Sequence, residues 1–289
     1  MRIDLENIVV RLMDNADISG AMQLVFDENW NQTKEDWRML LGLNSNLCLV
    51  AVYNGAVVGT VTAVNYKDQV AWIGMMLVSK NFRGLGISKT LLNTVIEKLG
   101  DCKSIKLDAT PAGIPVYRKL GFHEELEINR MVTTEIKGNT DKRNIAHIKL
   151  ISEDDIEELL QLDLKIFGAD RFELINSLIN RNGYKTWCIL RNERIVGYVL
   201  GRIGLNFFQV GPLMAETVDD AVNLLETILE QCVGQSVVID VLHHQVAFKQ
   251  RLTSLGFSFQ RSFTRMYLKN NSFSGVANKQ FLIAGPELG

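Results

Sequence analysis

The chain has 289 residues, 47% of them hydrophobic, which supports a sizeable core and, by length, about two domains of roughly 150 residues each. A net charge of −2 lacks the basic surplus of nucleic-acid binders, so no nucleic-acid partner is expected. No apolar run reaches the ~18 residues of a membrane span, and the opening "MRIDLENIVVRL" is charged where a signal peptide is apolar.

In chain order, Glu6 to Met13 reads as a strand, and Asp17 to Trp30 carries the apolar stripe Ile18, Met22, Val25, Phe26 of a helix. Thr33 with Asp36 resembles a capping box before a second helix, "EDWRMLLGL". "LCLVAVY", Asn54-Gly55 and "AVVGTVTAV" form a hairpin, because Asn-Gly supplies the positive φ angles of a tight turn. "QVAWIGMMLV" is the next strand, followed by a glycine-rich turn and a helix to Leu99. "SIKLDA" is a strand, "IPVYRKL" a short helix, and "LEINRMVTTEI" a closing strand. A meander followed by alternating strands and helices predicts an α/β fold, a mixed α+β sheet with helices on both faces.

The pattern then repeats. "RLMDNADI" from Arg11 matches "KLISEDDI" from Lys149, and "VVGTV" from Val57 matches "IVGYV" from Ile195, both 138 positions apart (11 to 149, 57 to 195). "KLGF" from Lys119 matches "SLGF" from Ser254. Shared order at near-constant spacing predicts two related domains, 1–137 and 145–289, joined by a polar linker at 138–144. In the second copy, helices are expected from Ser152 and near Glu173, Ala221 and Phe248, with strands at Trp187, Val196, Phe208 and Val238.

Cys48, Cys102, Cys188 and Cys232 show no CxxC spacing and read as reduced, mostly buried thiols of a cytoplasmic protein. The adjacent His243 and His244 would point to opposite faces of a strand, so no metal is expected.

The stretch "MMLVSKNFRGLGISKTLL", Met75 to Leu92, carries the strongest signal. A turn poor in side chains between a strand and a helix can aim backbone amides inward, and the helix adds its positive end, which together suit a diphosphate. Arg83 adds a forked cationic donor. Neither the P-loop nor the dinucleotide fingerprint fits, because Lys89 stands where each needs a glycine. The pattern present is R-x-x-G-x-[small], with Arg83, Gly86 and Ser88.

On these residues the chain resembles the GNAT superfamily of acyl-CoA-dependent N-acyltransferases, most strongly from Trp72 to Leu92 and from Leu107 to Phe122. The resemblance implies two tandem GNAT-like domains with acetyl-CoA as cosubstrate. It places the pantetheine arm on Met76, Leu77 and Val78, and the diphosphate on Arg83, Gly84, Leu85, Gly86, Ile87 and Ser88. Ser88 departs from the usual Gly or Ala but is small. "VYRKLGF" is similar to the family's "LYEKLGF", which implies that Tyr117 is the general acid to the departing thiolate. A phenol near ~10 and a thiol near ~8.5 make that transfer roughly balanced. The loop before this helix is shorter than in many relatives. Asp108 and Thr110 occupy it, and Asp108 could order the loop, contact ligand or cap a turn.

Some relatives use a carboxylate on the fourth strand to deprotonate the acceptor amine, and "QVAWIGMMLV" has none. At pH 7 an α-amine of pKa ~7.7–8.0 is about 10–17% neutral and a lysine near ~10.4 about 0.04%, so an α-amine or small-molecule amine is the expected acceptor. Glu28, Asp36 and Asp68 stand as candidate bases. Glu28, Trp30 and Asn31, with Gln32 and Trp37, lie where the family builds its acceptor lid. Arg171 and Arg202 are open to either a substrate-carboxylate or a structural role.

The second copy lacks the expected machinery. Tyr117 aligns with Leu252, and "AETVDDAVN", at the position of the glycine turn, has neither Gly nor Arg. A degenerate C-terminal domain is therefore expected, with "FLIAGPELG" as a tail that could dock. The leading expectation is a cytoplasmic N-acetyltransferase, monomer or homodimer, acting on a small-molecule amine. A non-catalytic acyl-CoA-binding regulator and a scaffold with a fossil site are the alternatives.

Overall fold

The computed structural model describes residues 7–136, 147–181 and 186–289; the expected linker, 138–144, lies outside them. The first half runs β1 (Ile8–Leu12), α1 (Ile18–Asp27), α2 (Lys34–Asn44), β2 (Leu49–Tyr53), β3 (Ala56–Tyr66), β4 (Val70–Val78), α3 (Ile87–Lys98), β5 (Ser104–Ala109), α4 (Ile114–Lys119) and β6 (His123–Thr133). The second runs β7 (Ile148–Leu150), α5 (Ile156–Phe167), α6 (Phe172–Ile179), β8 (Trp187–Arg191), β9 (Arg194–Ile203), β10 (Phe208–Ala215), α7 (Val218–Leu229), β11 (Val237–Leu242), α8 (Val246–Ser254) and β12 (Ser258–Lys269). A final strand, β13 (Gln280–Leu282), has no counterpart in the first half.

The repeat extends to its helix caps. Asp14 and Asp17 form a reciprocal capping box ahead of α1, and Ser152 and Asp155 form the same box ahead of α5. The Thr33–Asp36 box ahead of α2 is present as its sequence predicts. These side chains satisfy amides that the first helical turn leaves without carbonyl partners. His243 and His244 fall in the turn after β11, not on a strand.

All the strands join one mixed sheet, in the order β1-β2-β3-β4-β5-β12-β6-β11-β13-β10-β9-β8-β7. The order is nearly palindromic about its centre, with the closing strands exchanged. β12, from the second half, pairs β5 from Thr264↔Ala109 to Lys269↔Ser104 and covers β6 on its other edge. β6, from the first half, pairs β11 from Val237↔Thr133 to Leu242↔Ile128. The closing strand that the sequence assigns to domain one therefore lies between two strands of the other half, because local patterning specifies a strand but not its neighbour.

One face of the sheet is covered by α1, α2, α5 and α6, whose apolar sides merge into a single core with Trp37, Tyr66, Trp72, Phe167 and Tyr198. On the opposite face α3 packs over the first half, and α7 and α8 over the second, as separate clusters. All four cysteines are free and buried, and burial pushes the Cys48 thiol up to about 12. Among the described residues no helix is long and apolar enough to cross a membrane.

Charge also bridges the exchange. Arg130 of β6 donates to both oxygens of Asp240 of β11, at 2.7 and 2.8 Å, with Asp240 fully buried. Arg265 of β12 grips Asp108 of β5 in the same way, at 2.9 and 3.1 Å. Residues 1–137 and 147–289, produced as separate polypeptides and mixed during refolding, are expected to elute as one 1:1 complex in size-exclusion chromatography. Two independently folded, non-associating halves would contradict the exchange.

Candidate active site

Strands β4 and β5 begin as a parallel pair and then part. Their pairing covers only Val70↔Ser104, Ala71↔Ile105 and Trp72↔Lys106. A bulge helps drive them apart: Met75 has φ 48°, the β3–β4 register shifts between Thr60 and Thr62, and the Thr60 hydroxyl donates to the Met75 carbonyl at 2.7 Å. A bulge bends its strand and re-aims its groups. From Ile73 onward β4 therefore has no β5 partner, and the backbone of Met76, Leu77 and Val78 borders an open fork.

The glycine turn follows. Gly84 and Gly86 have φ of 78° and 84°, and an added Cβ at either would meet no atom within 4 Å, so both glycines border open space. The first backbone bond of α3 runs from Thr90 N to Gly86 O at 3.0 Å, so the amides of Ile87, Ser88 and Lys89 have no helical acceptor. Amides without helical acceptors, with the helix dipole behind them, are an arrangement that can receive an anion. Arg83 reaches it only in part: its Nε donates to Val78 O at 3.2 Å and its Nη2 to Glu28 Oε1 at 2.6 Å.

Beside the fork lies a partly open cavity bordered by β4, β5, α4, β6, β12, the segment between α1 and α2, and the C-terminal tail. Tyr117 lines it, half-buried, and burial pushes its phenol up to about 12. Of the expected acceptor residues, Trp30 and Gln32 reach the cavity and Trp37 is core. The other three are engaged elsewhere. Glu28 is tied to Arg83 and to Lys80 (3.8 Å). Asn31 is buried and holds the 204–207 loop, accepting from the amides of Asn206 and Phe207 and donating to Phe207 O. Asp108 borders the cavity but gives both oxygens to Arg265; burial pushes its carboxyl up, and Arg265 pulls it back.

The remaining candidate bases also have structural roles. Asp36 completes its capping box and pairs with Arg181 at 2.8 Å. Asp68 sits in the exposed β3–β4 turn, bonded to Asn65. Arg171 is fully enclosed on Asp163, and Arg202 binds Glu287 at 2.6 Å and Ala284 O at 2.7 Å, so both arginines are structural. Sequence reasoning did not single out Arg261, Phe263 and Glu287, which line the cavity from β12 and the tail. The one available signal was a glutamate inside an otherwise apolar terminal segment.

Residues 17–122 match the model of the Acetyltransferase (GNAT) family, and residues 159–282 match that of an Acetyltransferase (GNAT) domain. The chain belongs to the GNAT superfamily. It is an acyltransferase, in a family whose cosubstrates are acyl-CoA thioesters. The N-acetyltransferase YitH of Bacillus subtilis is 25% identical over 83% of this chain and 84% of its own. Holothin acyltransferase of a Pseudoalteromonas species is 27% identical over 91% of this chain and 88% of its own. The crystal structure of a Pyrococcus horikoshii acetyltransferase superposes with a TM-score of 0.84 at 21% identity, over 100% of this chain and 98% of that one.

The second GNAT domain has the same fork, filled. β10 and β11 pair in parallel only from Phe208↔Val237 to Val210↔Ile239 and then separate. β13 enters the gap, pairing Leu213↔Leu282 on β10 and Val241↔Leu282 on β11. The N-terminal end of α7, which corresponds to the start of α3, is capped by its own chain: the Thr217 hydroxyl accepts from Asp220 N at 3.1 Å, and the Asp220 carboxylate binds Arg191. Leu252, in the place of Tyr117, is fully buried core.

Substituting Asp108→Ala would strand the buried Arg265 guanidinium, and loss of one partner of a buried pair costs about 3–5 kcal/mol. A drop of that size in urea unfolding is expected, with acyl-donor binding retained at low temperature. A Kd change without a stability change would instead give Asp108 a ligand role.

Proposed function

We propose that the chain is an acetyl-CoA-dependent N-acetyltransferase, with the cosubstrate on the first GNAT domain and the amine of a small molecule, or an α-amine, as acceptor. The contrast between the two forks carries this reading. In the first domain the β4 edge is open and leads to amides without helical acceptors at the N-terminus of α3. In the second domain β13 and the Thr217 cap take both places.

In this reading the backbone of Met76, Leu77 and Val78 holds the pantetheine arm by strand-like hydrogen bonds. The turn from Arg83 through Ser88 holds the diphosphate. Glu28 keeps Arg83 folded over the turn through their 2.6 Å bond. The neutral acceptor nitrogen attacks the thioester carbonyl directly; a C–N bond forms, the C–S bond breaks, Tyr117 gives its proton to the departing sulfur, and the proton that the nitrogen sheds leaves to a base, with solvent exchange restoring the Tyr117 phenol. Tyr117 favours turnover over mere binding, since a regulator has no use for a proton donor at the mouth of the fork.

Gly86 must hold φ 84°, a region costly for residues with a Cβ. Gly86→Val should therefore raise the Kd for acetyl-CoA at least about tenfold by calorimetry, the loss of roughly one charge-assisted hydrogen bond, while Asp219→Gly in the second domain leaves it unchanged. Equal effects of the two substitutions would refute the assignment to the first domain.

Tyr117→Phe should lower kcat about 100-fold, within the usual span of general-acid contributions, with little change in acetyl-CoA affinity. Because burial raises the phenol to about 12, its acid form persists throughout the ordinary alkaline range and fails only above that value. The wild-type kcat profile is thus expected to show no alkaline limb at the usual phenol value of ~10.

A further inference from the structure

Buried polar groups are normally paired, and each exception calls for an explanation. Three exceptions among the described residues border the single cavity beside Tyr117: Gln32 Oε1, Glu287 Oε2 and Arg261 Nε. Gln32 and Glu287 are only 5% and 3% exposed. They come from three distant parts of the chain, the α1–α2 segment, β12 and the tail, so no local turn accounts for their grouping.

Glu287 is held firmly in place. Its Oε1 accepts from Arg202 Nη2 at 2.6 Å, while its Oε2 has no donor. A Cβ placed on Gly74 of β4 would lie 2.5 Å from the Glu287 Cβ and 2.6 Å from its Cα. The tail glutamate therefore occupies the space that a side chain on β4 would fill, and Gly74 is the residue type that permits it. The strand with no acid of its own has one pressed against it from 213 residues downstream (74 to 287).

Arg261 is the complementary exception. Its guanidinium lies over the Phe263 ring at 5.0 Å, and Arg130 lies over the same ring at the same distance. Arg130 has Asp240 as a bidentate partner, whereas Glu287 pairs with Arg202 and not with Arg261. Burial, with Arg130 nearby, pushes the Arg261 pKa below its usual range, against a smaller pull from Asp240. A half-buried guanidinium whose enclosed Nε has no acceptor is suited to receive a carboxylate.

We infer that the acceptor is an amine that also bears a carboxylate, an amino-acid-like molecule, with its nitrogen on Glu287 Oε2 and Gln32 Oε1 and its carboxylate on Arg261. The inference rests on the transferase reading above and assigns that site its substrate class. As the nitrogen bonds to the thioester carbon, one N–H proton passes to Glu287 Oε2. The C–S electron pair leaves with sulfur, which takes the Tyr117 proton, and solvent exchange then returns both side chains to their starting states. Glu287 supplies the carboxylate that β4 lacks.

The test measures thiol release from acetyl-CoA with matched pairs of acceptors, free amino acids and the same amino acids as carboxamides. Losing one charge-assisted contact should make the carboxamides about 10- to 100-fold poorer in kcat/KM, chiefly through KM. Arg261→Gln should abolish that preference by raising KM for the acids alone, and Arg261→Lys should restore part of it. Glu287→Gln should lower kcat about 100-fold on every acceptor, acids and carboxamides alike. Circular-dichroism melting of each variant separates these effects from loss of fold. Acids and carboxamides used equally well, a preference untouched by Arg261→Gln, or a folded Glu287→Gln enzyme with full kcat would each overturn the inference while leaving the transferase reading intact. Failure of acetyl-CoA to bind the wild-type chain in calorimetry would instead bring down the transferase reading.

Discussion

A pair of parallel strands that separates partway along its length leaves two rows of backbone amides and carbonyls facing a gap. Such groups have to find partners in water, in protein or in a ligand. This protein has two of these gaps, at β4–β5 and at β10–β11, and answers them differently. The second receives β13 and becomes ordinary sheet. The first stays open, beside a turn whose glycines expose amides at the head of α3. The chemistry assigned to each half follows from how its gap is filled.

The exchange of β6 and β12 makes the two halves one object. Each closing strand is bonded into the partner half, and the pairs Arg130–Asp240 and Asp108–Arg265 are buried where the halves interleave. Buried pairs of this kind contribute little net stability over an apolar packing, but they strongly disfavour any register that separates the partners. The same interleaving carries Arg261 and Phe263, residues of the second half, into the cavity of the first. The cavity proposed as the acceptor side is therefore composite, although the sequence assigns the catalytic site to residues 1–137.

Much of this was legible in the chain. Period-two and helical apolar patterns located the strands and helices, and the Thr33 and Ser152 regions gave true helix starts. The 138-residue repeat pointed to the two GNAT domains, and the absence of Gly and Arg around Asp219 led to the expectation of a degenerate second copy. Strand order was not legible, because pairing partners far apart in sequence leave no periodic trace. For the same reason Asn31 and Asp108 looked like ligand contacts: a polar residue in a pocket-forming segment reads alike whether its partner is a substrate or a distant loop. Asn31 is taken by Phe207 and Asp108 by Arg265, 176 and 157 positions away. Glu287 was hidden by its apolar neighbours, which marked the tail as a docking segment and not as a source of chemistry.

The C-terminal segment joins the two gaps. Three residues seal one as β13, and five residues past that strand Glu287 borders the other, anchored by Arg202. Tyr66 and Arg171 then hold the last carbonyls, of Leu288 and Gly289, at 2.6 and 3.1 Å. The groove of one half thus moors the strand that brings a carboxylate to the cavity of the other, and in the proposed reading each half completes what its counterpart lacks.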